Sequence, residues 1–156
     1  MRFDWSAFES SLQDELLHAY RQTLEGGGPV YAIALHCIYR ELDYVIGLPI
    51  AAAALAEGAP PGDEGGFHGV RWNPADWAHP DIALRQPTAE ALRDAITREA
   101  TRGSQAHFRR VEARYMRVIV RVIVRVIVRV TRRLRDALPR YVPVTDDFVA
   151  FVHDED

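Results

Sequence analysis

An α+β fold follows from three features of this sequence. Apolar residues recur every three or four positions between Trp5 and Leu24, a run apolar on both faces extends from Val30 to Tyr39, and no glycine or proline interrupts Ser104 to Leu138. The first and third are helix signals and the second is the signal of a central strand. The expected architecture is a small, mainly antiparallel sheet with strands near 30–39, 43–48, 67–72 and 147–152, packed by an N-terminal helix and one long C-terminal helix. At 156 residues, with 48% hydrophobic and 26% charged residues, the chain has the size and composition of one globular domain, 1–156.

Asp4 is placed to cap the first helix, whose apolar positions are Trp5, Phe8, Leu12, Leu16, Tyr20 and Leu24, and Gly26-Gly27-Gly28-Pro29 ends it. The strand from Val30 has Ala32 and Ala34 between large residues, a face able to accept a helix. Arg40-Glu41-Leu42-Asp43 supplies turn chemistry, and Tyr44 to Leu48 resumes the strand pattern, predicting a hairpin. Ile50 to Glu57, with four successive alanines, predicts a short helix ended by Gly58. Gly and Pro residues make 59–66 a loop, and Phe67 to Trp72 predicts a third strand. Asn73-Pro74 places a cap before a proline at the first helical position, and predicts a one-turn helix. Thr88 to Thr101 predicts a helix with Leu92 and Ile96 inward, and Asp147 to Val152 a last strand.

The most unusual segment is Arg117-Val118-Ile119-Val120, present three times to Val128 and followed by Arg129-Val130. A unit this short is no solenoid repeat, and slippage of a twelve-nucleotide unit is its simplest origin. Valine and isoleucine favour a strand. The flanks favour a helix, because Phe108, Val111 and Tyr115 keep helical spacing and nothing before Pro139 would turn the chain. We therefore expect one continuous helix in which four residues turn about 400°, so each unit moves the arginine stripe by about 40°.

Charge is unevenly distributed. The net charge is −3, yet 103–140 holds 11 arginines against Glu112 and Asp136, a local +9 opposed by −12 elsewhere. All 19 basic side chains are arginines, which fits a GC-rich coding genome. The stripe Arg117, Arg121, Arg125 and Arg129 has two uses: binding a partner, or solvation and pairing with the chain's own acids, the second being favoured. Nucleic-acid binding through the arginine-rich 109–135 helix is the alternative. Against it stand a sequence pI of about 6.1 and the lack of aromatics interleaved among the arginines from Arg117 to Arg135.

Metal and nucleophile chemistry find no pattern. The six histidines have no pair at three or four residues' spacing, and Cys37 stands alone. Adjacent His36 and Cys37 on a strand face opposite ways. No catalytic residue, metal or cofactor is expected, and the chain leans away from enzymes, although an active site assembled only in three dimensions stays open. Trp72, Asp76 and Trp77 are the constellation to watch, as core anchors by preference and otherwise as a binding surface. With no leader pattern after Met1 and no uninterrupted apolar span, a cytoplasmic protein without a membrane partner is expected.

Val30 to Leu35, the segment Arg71-Trp72-Asn73-Pro74-Ala75-Asp76-Trp77, and a long helix leading to Phe148-Val149-Ala150-Phe151-Val152-His153-Asp154 together resemble the bacterial family grouped as domain of unknown function 4303. The resemblance covers most of the chain, and the triple repeat departs from the family pattern. It implies a bacterial cytosolic α+β domain and brings no catalytic residues. The function expected is a non-enzymatic protein-binding module, in an immunity or regulatory role, whose partner is a second copy or another bacterial protein.

Overall fold

A computed structural model of the chain describes residues 3–37, 47–57, 70–84, 87–135 and 141–154. Three helices lie on one face of a four-stranded mixed sheet, an α+β arrangement. Helix α1 is Trp5–Leu24, strand β1 Val30–Cys37, strand β2 Ile50–Leu55, strand β3 His79–Ile82, helix α2 Thr88–Thr101, helix α3 Gln105–Arg135 and strand β4 Val144–Asp154. The sheet order is β3-β2-β1-β4, antiparallel except for the parallel pairing of β1 with β4.

Both ends of α1 follow from its sequence. Asp4 Oδ1 accepts from the backbone N–H groups of Ser6 and Ala7, each at 3.0 Å. These would otherwise be unpaired donors of the first turn. At the other end Gly26 takes the left-handed φ of 74°, a conformation costly for any residue with a Cβ, and Gly27 N–H closes onto Leu24 O at 3.1 Å. The apolar side of α1 packs Leu12 and Leu16 with no exposed surface. Each such side chain contributes about 1.5–3 kcal/mol relative to exposure. Tyr20 reaches the sheet and donates to Ala34 O at 2.9 Å.

Helix α2 has the predicted span, and α3 is continuous through the repeat. The expected extension to Leu138 lies outside the described residues beyond Arg135. As the capping chemistry predicts, Pro74–Asp76 forms a 3₁₀ turn in which Asn73 Oδ1 accepts from Ala75 N–H.

Four expectations are corrected. The predicted helix at 50–57 is strand β2: Ala51, Ala52, Ala53 and Ala54 are at most 1% exposed, held between β1 and β3 with apolar groups above and below. Burial on both faces overrides the mild helix preference of alanine. The predicted strand near 43–48 is not the partner of β1, because 47–48 is irregular and β2 takes that place; 43–46 lie outside the described residues, as do the predicted turn 40–43 and the loop 59–66. Of the predicted strand 67–72, the described part, Val70–Trp72, is a 3₁₀ turn. There the Arg71 carbonyl accepts side-chain hydrogen bonds from Tyr31 and Trp77, a use a ladder position would not allow. The last strand exceeds 147–152 at both ends, since Asp146 and Asp147 are tolerated on an exposed edge.

Candidate functional site

The repeat divides cleanly between inside and outside. Val118, Ile119, Val122, Ile123 and Val126 are at most 4% exposed, whereas Val120, Val124 and Val128 are 49%, 53% and 40% exposed. The first two tetrapeptides therefore send their second and third residues into the core and the fourth residue and next arginine outward, and the third buries Val126 and exposes Val128 and Arg129. The drift of about 40° per unit is small enough for this division to survive three units.

The four arginines have different surroundings. Helix α1 runs beside the later three, and its buried Glu9 forms ion pairs with both Arg121, at 3.4 Å, and Arg125. Arg129 meets Asp14 at 3.4 Å, and Gln13, with its amide oxygen turned toward α3, accepts from Arg129 Nε and Nη1 at 2.9 Å each. Arg117 instead bonds its own helix, Nε to Ala113 O at 3.2 Å. Upstream, the Arg114 guanidinium lies over the Trp5 ring, 5.0 Å from its centre. Arg109, Arg110 and Arg117 are exposed and form no ion pair with a described residue.

Helical spacing places Arg110, Ala113, Arg117, Val120 and Val124 in one outward row, four and three residues apart by turns, with Val128 continuing it. All six are exposed. At the middle of this row is an open groove of about 750 Å³, bordered by Arg114, Met116, Arg117, Val120 and Arg121.

The tryptophan turn lies across the sheet from the helices. Trp77 is 6% exposed, stacks edge-on against Phe151 and Tyr31, and donates from Nε1 to Arg71 O at 3.0 Å. Tyr31 donates its hydroxyl to the same carbonyl at 3.0 Å, and Trp72 packs against the Tyr31 ring. Burial pushes the Tyr31 phenol up, with Arg71 pulling it back. The Arg71 guanidinium covers both rings and pairs with Asp147 at 3.0 Å. Asp147 is held below the usual carboxylate range, first by the Thr145 hydroxyl at 2.6 Å and further by Arg71. Asp76 is exposed and accepts from Asn73 Nδ2 at 2.7 Å, closing the turn. The fold thus separates the sequence-selected residues: Trp72, Asp76 and Trp77 brace an aromatic cluster on one side of the sheet, and the arginine stripe belongs to the helical layer on the other.

Two further features had no signal in residue spacing. His36 and His153 meet edge to face, 5.0 Å between ring centres, because β1 and β4 pair in parallel. A cleft of about 340 Å³ opens where the start of β2, the end of β3 and the start of α2 converge, with Asp81, Glu90 and Arg93 at its border. Its residues come from three separate segments. Among the described residues no group of three His, Cys, Asp or Glu side chains could hold a metal ion, and no helix is long and apolar enough to cross a membrane. The side chain of Cys37 lies outside the described set. No family model matches the chain, and neither a curated protein nor a solved structure shows significant similarity to it.

Proposed function

We propose that this chain is a non-enzymatic protein-binding module acting through the outward face of α3. The observation that carries this reading is the row Val120, Val124 and Val128, three β-branched apolar side chains about half exposed on successive turns. Leaving such a row in water forgoes about 25 cal/mol for each Å² of apolar surface that a partner would cover. The flanking arginines supply the polar rim usual at a protein interface. Kinship with the domain of unknown function 4303 family belongs to the same proposal and assigns no residue.

Nucleic-acid binding is a second reading, favoured by Arg109, Arg110 and Arg117, which form no ion pair among the described residues, and disfavoured by the ion pairs that tie Arg121, Arg125 and Arg129 to Glu9 and Asp14 of α1. The test is capture of partners by tagged full-length protein from lysate of its source organism, after nuclease treatment and at moderate salt. Stoichiometric recovery of a protein partner is expected. Recovery of the chain alone, together with affinity for a short DNA duplex that falls steeply with salt, would replace the first reading with the second.

A further inference from the structure

We infer that the outward face of α3 receives an amphipathic segment of a partner protein, apolar at one end and acidic at the other. This deepens the protein-binding reading and rests on it. The row from Arg110 to Val128 is about 27 Å long at 1.5 Å per residue, and its two halves differ in chemistry. In the first half Arg110 and Arg117 point outward, exposed and without an ion pair among the described residues, with Arg109 and Arg114 beside them. In the second half the outward residues are Val120, Val124 and Val128, and the adjacent Arg121 and Arg125 share the single carboxylate of Glu9. Among the described residues of the row and its flanks, arginines without an ion pair therefore stop where the exposed valines begin.

That polarity selects the occupant. Carboxylates on one half of a docking helix would meet Arg110 and Arg117 in charge-assisted, bidentate geometry. Leucine or isoleucine at three- and four-residue spacing on its other half would cover the valines, as in helix-in-groove recognition. The groove bordered by Arg114, Met116, Arg117, Val120 and Arg121 lies where the halves join and receives a large side chain at the centre of the contact. A nucleic acid carries negative charge along its whole length and would leave the valine half uncovered. A second copy fits no better. Laid antiparallel, it would set Arg110 and Arg117 against valines; laid parallel, it would set arginine against arginine, and the row holds no carboxylate in either case.

The test is fluorescence anisotropy on the full-length chain with a labelled, helix-forming synthetic peptide that has leucines on one face of its first half and glutamates on the same face of its second. A peptide with the same residues in scrambled order, a peptide with lysine in place of glutamate, and a short DNA duplex are the comparisons. The patterned acidic peptide is expected to bind best. Val124→Glu, at a half-exposed position and checked for unchanged helicity by circular dichroism, should weaken it about tenfold or more. The double change Arg110→Glu with Arg117→Glu should reverse the preference toward the lysine peptide. Equal binding of the scrambled peptide, no binding of any peptide, tighter binding of DNA, or variants that bind as the parent does would each overturn the inference. Lysate capture separates it from the reading beneath it. A partner retained by Val124→Glu and by the double variant means protein binding through another face, whereas no partner for the unaltered chain removes both.

Discussion

Arg117 and Arg125 occupy the same place in the same tetrapeptide, and the fold treats them differently. Arg125 lies beside α1 and pairs with a carboxylate whose side chain is only 7% exposed, whereas Arg117 extends over its own helix toward water. The difference comes from α1, which meets α3 upstream of the repeat through Trp5 and Phe8 and brings its polar Glu9, Gln13 and Asp14 only to Arg121 and the arginines after it. Formal charge along a sequence is thus a poor guide to charge at a surface. A local +9 shrinks where a neighbouring helix supplies acids and persists where it does not.

The largest effect should come from breaking the division between inside and outside within one unit. Ile119→Ala empties a fully buried site and is expected to cost about 2–5 kcal/mol, while Val120→Ala beside it should change stability by about 0.5 kcal/mol or less. Urea denaturation of the two variants measures both, and similar costs would mean that the outer row is covered within the chain itself.

Next is the seam with α1. Glu9→Gln keeps the shape and removes the charge, and should cost about 1–3 kcal/mol. In double-mutant cycles Glu9 should couple to Arg125 and show no coupling to Arg117. Coupling of equal size to both arginines would mean that the Glu9 seam does not distinguish Arg125 from Arg117.

A neutral contact of the same helix gives an intermediate effect. Tyr20→Phe removes a buried hydroxyl that donates to Ala34 O and should cost about 1 kcal/mol. Burial holds the Tyr20 phenol well above its ordinary value, while in the unfolded chain it ionises near pH 10. Its contribution is therefore complete below about pH 10 and declines as pH rises beyond that value. Melting temperatures across that range should fall more steeply for the parent chain than for Tyr20→Phe.

The smallest effect should be at Arg71 and Asp147, an ion pair whose carboxylate lies open to solvent. The lowered pKa of Asp147 means that its contribution is present above the ordinary aspartate value and is lost as pH falls through the depressed one. Asp147→Asn should leave the neutral-pH melting temperature nearly unchanged and make the acid limb of the profile shallower. A marked loss at neutral pH would place this exposed pair on a par with the Glu9 seam.

The helices were legible in the sequence because their signals are local. Periodicity from Trp5 to Leu24, the Asp4 and Asn73 caps, and the unbroken run past Ser104 each belong to one element. In the sheet, β1 and the middle of β4 were legible too, whereas β2 and β3 were not. The alanines of β2 follow helix propensity until two layers close over them, and β3 contains Pro80, which an edge strand accepts and a strand pattern does not advertise. The parallel pairing of β4 with β1 depends on segments more than a hundred residues apart. Of the candidate site, the arginine stripe could be read directly, but its pairing with α1 could not. Glu9 and Gln13, four residues apart beside the apolar stripe of α1, were a usable signal: they match the four-residue spacing of the arginines they meet.

Strand β1 also bears on how the molecule assembles. It pairs on one side with β2, after twelve intervening residues, and on the other with β4, beyond the whole of α2 and α3. Loop closure favours the near partner first. Until β4 arrives, the free edge of an almost wholly apolar strand is open to any extended chain of matching register. A second molecule's β4 satisfies that edge as well as its own does, so refolding at high concentration should yield strand-exchanged dimers, and dilution should restore the monomer.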